Sequence, residues 1–209
     1  MNGRLLSLEG LDGCGKSTQL RRVEAWLLER GWRVACFREP GGSRISEAVR
    51  GLLLDPAHTA MAGETELLLY TAARIQLLKE RVLPALVEGQ IVLLDRFADS
   101  TTAYQGHGRR LPLETVRTLN GLVRELAWPE RTWWLDLPAA AALARTGGRD
   151  RMERAGLEFF QRVAAGYQTI CRDEPARVLR VDADGSPADV FQRIETDLLR
   201  LFPGRRDPS

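Results

Sequence analysis

The segment GLDGCGKST at residues 10–18 sets three glycines, a lysine and two hydroxyls in the spacing G-x-x-x-x-G-K-[ST]. Glycines at this spacing let successive backbone N–H groups turn inward around phosphate oxygens, and a helix opening at Ser17 adds a dipole that favours an anion. Lys16 is placed to reach the β- and γ-phosphates and the Ser17 hydroxyl to ligate Mg²⁺. Gly10, Leu11, Asp12, Gly13, Cys14, Gly15, Lys16, Ser17 and Thr18 are therefore the expected triphosphate-binding residues. Chance occurrence of the pattern in a chain of this composition is on the order of one in a thousand. Alone, the motif specifies a nucleoside triphosphate and nothing about an acceptor.

Three further clusters could supply one. Arg38, Glu39 and the turn Pro40–Gly42 end a second apolar run, where Arg38 suits a phosphate and Glu39 a polar group. Tyr70 and Arg74 stand four residues apart on a helical stretch, so they share a face; an aromatic plate beside a guanidinium suits a flat heterocycle. Asp95 and Arg96 follow the apolar run Ile91–Leu94. An acid there suits Mg²⁺ or its waters, and Arg96 suits the charge of a group in transfer. Ser100, Thr101, Tyr104 and Gln105 then offer hydroxyls and an amide to the edge of a base. Arg145, Arg149, Arg151 and Arg154 crowd a polar, glycine-bearing stretch between two helical patterns. That stretch, at about 145–156, reads as a mobile lid that closes over the triphosphate, lends positive charge and excludes water, a competing acceptor. His58 and His107 fall outside this chemistry, because a phosphate oxygen is already ionised and needs no base.

The elements that must hold these clusters alternate. Apolar runs at 4–9, 32–37, 91–94, 132–137 and 177–181 read as strands. Helical patterns cover 17–30, 43–54, 64–88 (bent near Pro84), 113–126, 139–145, 157–172 and 187–201. Strands alternating with helices argue for an α/β fold of three layers, α/β/α, around a five-stranded parallel sheet. A length of 209 residues suits one domain over 1–209, with a fraying tail at 204–209.

Composition narrows the class. The chain is 44% hydrophobic and 28% charged, which is globular. Its formal net charge of +2 leaves no footprint for nucleic acid. No apolar run approaches the roughly 20 residues of a bilayer span, and the N-terminus lacks a signal-peptide pattern. Three widely spaced cysteines form neither a disulfide framework nor a zinc pattern and fit a reducing cytoplasm. Of 30 cations only Lys16 and Lys79 are lysines. A chain that nearly avoids lysine keeps one inside its glycine loop.

In order and spacing these clusters resemble the bacterial thymidylate kinases, on GLDGCGKST at 10–18, REPGG at 38–42, YTAAR at 70–74, DRFADSTTAYQG at 95–106 and GRDRMERAGLEFF at 148–160. The REPGG and DRF…AYQ pair is the specific part. The resemblance implies a P-loop kinase fold and the reaction ATP + dTMP → ADP + dTDP with Mg²⁺, in a homodimer. It also implies roles. Asp12 would sit by the dTMP sugar and phosphate, and Arg38, Glu39 and Arg50 would border them. Tyr70 takes the place of a ring, often Phe, that stacks on thymine; Arg74 would bond a base carbonyl. Thr101 and Gln105 would face the pyrimidine edge, with Ser100 beside them, and Tyr104 would crowd the sugar 2′ position. Asp95 and Ser17 would serve the metal. Lys16, Arg96, Asp12, Arg149 and Arg151 would act in catalysis, and residues 182–187 would pass the adenine. Two features depart from the pattern: Gly13 and Cys14 stand where some members carry a basic residue, and Glu153 is followed by Arg154, Ala155 and Gly156 where the lid usually continues with acidic residues, in a lid that is also short. Other readings of the residues are a different P-loop nucleotide or deoxynucleoside kinase and a non-catalytic nucleotide switch. Tyr70→Ala is expected to raise KM for dTMP more than it changes ATP binding in steady-state kinetics; equal effects on both would make Tyr70 a core residue.

Overall fold

The computed structural model describes residues 3–147 and 151–203. Five strands form one parallel sheet in the order β2-β3-β1-β4-β5: β1 (Arg4–Gly10), β2 (Val34–Arg38), β3 (Ile91–Asp95), β4 (Arg131–Asp136) and β5 (Val178–Asp182). All five are the expected runs shifted by a residue or two. Side chains alternate across a strand, so an unbroken apolar run feeds two cores at once. On β3, Ile91 and Leu93 enter one buried cluster and Val92 and Leu94 the other. On β1, Leu6 and Leu8 face the first cluster and Leu5 the second. Helices cover both faces.

Helix α1 (Lys16–Glu29) buries Leu20, Val23, Trp26 and Leu27. Leu28, expected in that stripe, is exposed, and Trp26 takes its place against the core. Helix α2 (Arg44–Leu54) is capped by the Ser43 side chain, which accepts from Ser46 N. The long helical pattern at 64–88 divides into α3 (Gly63–Leu77), a π-helical turn (Leu78–Val82) and α4 (Leu83–Val87). The irregularity sits just before Pro84, whose missing N–H breaks the regular ladder there.

The stretch after β3 is helical, although its hydroxyl-rich sequence gave no helical stripe. It comprises α5 (Ala98–Thr101) and a π-helical segment (Thr102–Gly108). Helix α8 (Leu157–Asp173) presses close against this segment. A Cβ at Gly166 would lie 3.0 Å from Ala103 Cα, so only glycine allows the approach. Helices α6 (Leu113–Arg124), α7 (Ala139–Arg145) and α9 (Pro187–Leu201, with a Ser186/Asp189 capping box) complete the layers. Of the expected lid, residues 145–147 and 151–156 are described and include a short 3₁₀ turn (Glu153–Ala155). The tail at 204–209 and Arg149 lie outside the described residues.

One buried polar network pins α5 to the sheet. Arg177 Nη1 and Nη2 donate to Asp99 at 2.7 and 2.8 Å, and Arg177 Nη1 also reaches Thr132 Oγ1. Thr132 Oγ1 in turn lies 2.7 Å from Ser7 Oγ. Removing one partner of a buried ion pair strands the other charge. Arg177→Ala is expected to destabilise the fold by about 3–5 kcal/mol in urea titrations. A loss below about 1 kcal/mol, the range of surface pairs, would contradict a buried charge held by Arg177.

Candidate active site

The glycine loop joins the end of β1 to α1, at the carboxyl edge of the sheet. Gly15 precedes the helix with φ 96°, a left-handed conformation that a side chain resists, and it aims the first helical N–H groups into the loop's concavity. Leu11 and Cys14 bury their side chains in the core, so they offer the site only backbone groups. Lys16 is buried, its Nζ donating to the carbonyl oxygens of Gly10 at 3.2 Å and Leu11 at 2.8 Å. Ser17 Oγ donates to Asp95 Oδ2 at 2.8 Å. Asp12, Gly13, Gly15, Lys16, Ser17 and Thr18 line a cavity of about 550 Å³ together with Arg38, Asp95, Arg96 and Arg145.

Beside it lies a narrower cavity of about 80 Å³, lined by Tyr70, Ser100, Thr101, Tyr104 and Gln105 among others. Sequence reasoning missed three of its walls: Pro40, Leu54 and Met152. Met152 belongs to the stretch expected to form a lid, and it is buried against this narrower slot. The two cavities share four lining residues: Asp12, Glu39, Arg50 and Arg96.

Arg96 is the hinge between them. Its backbone has φ 75°, which a side chain rarely adopts and which costs about 1–3 kcal/mol. The turn folds the guanidinium back over β1. Nη1 donates to Gly10 O at 2.9 Å and Ser100 Oγ at 3.1 Å; Nη2 donates to Asp12 Oδ1 at 2.7 Å and the Tyr104 hydroxyl at 3.1 Å. The Tyr104 hydroxyl itself donates to Asp12 Oδ2. Burial opposes ionisation of Asp12, but Arg96 and then Lys16 outweigh it and hold the carboxyl down at about 2. Beneath Arg96 lies Glu9, fully buried, which accepts from Phe97 N, from Ser100 N and Oγ, and from the Tyr167 hydroxyl. Burial and nearby Asp99 push its carboxyl above the usual value, against the pull of Arg96. Nothing in the strand pattern RLLSLEG marks Glu9 as an anchor; its role exists only once α5 and α8 fold over it.

Arg74 lines neither cavity. Three of its five guanidinium N–H groups are engaged beneath the slot: Nε donates to Glu39 at 2.5 Å, Nη1 to Thr101 Oγ1 at 2.8 Å and Nη2 to Phe97 O at 3.1 Å. Burial pushes the Glu39 carboxyl up to about 7 despite Arg74, and its Oε1 is buried with no hydrogen-bond partner. Arg50 donates to Pro40 O, and Arg38 makes a two-pronged pair with Glu47. Arg151, expected over the triphosphate, instead lies 2.5 Å from Glu66 Oε2 on the slot side, and its Nε donates to Leu53 O. Of the arginines in the expected lid, Arg145 lines the phosphate cavity among the described residues. Among those residues there is no group of three or more His, Cys, Asp or Glu side chains fit to hold a metal ion by themselves.

A model of the thymidylate kinase family matches residues 8–194. The chain belongs to that family. It is 51% identical over 187 residues to a thymidylate kinase of Desulforudis audaxviator, covering 88% of this chain and 85% of that one. It is 45% identical over 191 residues to one from a Synechococcus strain, covering 90% and 91%. The crystal structure of thymidylate kinase from Ehrlichia chaffeensis superposes with a TM-score of 0.78 at 29% identity, over 94% of this chain and 98% of that one. The sheet order and phosphate loop are those of a P-loop kinase fold. As a member of the family the chain is a dTMP kinase with ATP as donor, and it serves dTTP biosynthesis. No helix among the described residues is long and apolar enough to cross a membrane.

Arg96→Ala is expected to lower kcat by a factor of about 10³, the loss typical of removing a group that stabilises transferring charge. Turnover within about fivefold of wild type would refute that role.

Proposed function

We propose that ATP and dTMP meet end to end at the four shared residues, the triphosphate in the larger cavity and the thymine in the slot beside Tyr70. The observation that carries this reading is the common wall of Asp12, Glu39, Arg50 and Arg96. A nucleotide switch has no use for a second cavity opening onto its phosphates. Lys16 would exchange its loop carbonyls for β- and γ-phosphate oxygens. Arg96, placed by Asp12 and Tyr104, would face the phosphoryl group as it moves, and Arg50 and Arg38 would hold the acceptor phosphate. Transfer of this kind needs positioning and cations more than covalent chemistry. Arg145 supports a cationic role for the lid; a part for Arg149 in the transition state belongs to the same proposal. Arg151 would act by fixing the lid's base. Arg74 would hold Glu39 and Thr101 in place, with its remaining N–H groups available to a base carbonyl.

The Ser17 hydroxyl and Asp95 carboxylate, side by side in the phosphate cavity, are the hard oxygen donors that Mg²⁺ accepts when phosphates and water complete its shell. When bound, Mg²⁺ supplies positive charge to the phosphate oxygens. We further propose a homodimer. Ile45 and Leu52, seven residues apart on α2, and Leu68 on the adjacent α3 are exposed, an apolar face suited to a second copy. The charge balance and free cysteines support a cytoplasmic enzyme without nucleic-acid partners, built as one domain over 1–209 with a lid at about 145–156.

ADP release measured with ATP and dTMP, dUMP, dCMP, dGMP or thymidine tests the reading. It predicts fastest turnover with dTMP; a preference for dCMP would overturn the assignment of the slot.

A further inference from the structure

Glu66 is not marked by its sequence, where it reads as one of two acids opening a helix, yet it is wholly buried behind Gln105 at the thymine slot. Its carboxylate accepts from two donors and pairs with a further cation. Gln105 Nε2 donates to Oε1 at 2.7 Å; Arg109 donates from Nε to Oε1 at 3.2 Å and from Nη2 to Oε2 at 3.1 Å; Arg151 Nη2 lies 2.5 Å from Oε2. Arg109 Nη2 also touches Met152 Sδ at 3.6 Å. One acid thus binds Gln105 in the π-helical segment, the residue that caps that segment and the root of the expected lid.

A free carboxamide presents oxygen or nitrogen with equal ease, because turning it over swaps the two. Gln105 lacks that freedom. A carboxylate accepts only, so it takes the amide nitrogen and leaves the oxygen as the end free for the slot that Gln105 lines. An amide oxygen there accepts from a ring N3–H, which thymine and uracil carry. Cytosine has a bare N3 lone pair at that place, and the two acceptors would face each other unpaired.

We propose that Glu66 is a positioning residue that sets acceptor specificity: by fixing the Gln105 carboxamide it selects pyrimidines bearing N3–H over those with an unprotonated N3. Pairing of the same carboxylate with Arg151 seats Met152 against the slot, so the choice of base and the seating of the lid's root rest on one group. This inference rests on the proposed placement of thymine in the slot.

The test compares kcat/KM for dTMP and dCMP in the wild type, Glu66→Gln, Gln105→Ala and the double variant, with KM for ATP as control. In Glu66→Gln the new amide can offer either of its own ends, so Gln105 regains its freedom to turn. The dTMP/dCMP ratio is expected to fall by about tenfold or more, with KM for ATP little changed. The double variant should be no less selective than Gln105→Ala alone. A ratio within twofold of wild type in Glu66→Gln, or losses that multiply in the double variant, would overturn the proposal. A wild type that prefers dCMP would instead overturn the slot assignment itself. Should Glu66→Gln fail to fold, side-chain amide NMR of Gln105 in the wild type decides: one downfield proton protected from exchange supports a fixed amide, and a freely turning amide refutes it.

Discussion

The ion pair between Arg96 and Asp12 is the constraint that organises the site. It joins residues from two different strand ends, one in the glycine loop and one after β3, and it stands where the two cavities meet. Arg96 reaches Asp12 only because its backbone accepts a left-handed turn at the end of a strand. That strained turn is over-determined from below. Arg96 N donates to Leu8 O, and Glu9 gathers Phe97 N, Ser100 and Tyr167 directly behind it. A buried acid with a raised affinity for protons is costly, and its four hydrogen-bond donors offset that cost while locking α5 in place.

Support of this kind holds the cations of the site through the protein's own contacts. Lys16 rests on loop carbonyls and Arg96 on Gly10 O, so both sit beside the phosphate cavity with their long side chains already ordered. Preorganised charge costs little reorganisation during reaction. The acceptor side is fixed in the same way, with Arg74 buried beneath Glu39 and Thr101 and Glu66 buried behind Gln105. Both of these lie one layer behind residues that line the slot.

Strands and phosphate loop were legible in the chain because their signals are local. Ile91–Leu94 is an apolar run that must be buried on both faces, and the loop's glycines answer a backbone need. The acceptor clusters were legible as residue types at strand ends and on a helix face, and Tyr70, Thr101, Tyr104 and Gln105 all line the slot. What stayed hidden is what depends on three dimensions. Glu9 and Glu66 look like ordinary acids until helices cover them. Arg74 reads in the sequence as a base-binding group, and only the fold shows that it also supports Glu39 and Thr101. Arg151 carries the charge expected of a lid over phosphate, but the buried carboxylate of Glu66 claims it, and Arg145 reaches the phosphate cavity instead. The helix at 98–108 had no amphipathic stripe because both its faces are buried, one by α6 and α8 and the other by the site.

In the proposed arrangement one wall serves two nucleotides whose phosphates meet across it. Adenosine and thymidine joined through a pentaphosphate reproduce that arrangement in a single molecule. Calorimetric titration of this compound, with ATP and dTMP as competitors, measures it without intermediaries. A shared wall requires one site per chain, binding tighter than either nucleotide alone, and displacement by each of them. Binding that only one of the two nucleotides can displace would mean that the cavities do not share a phosphate path.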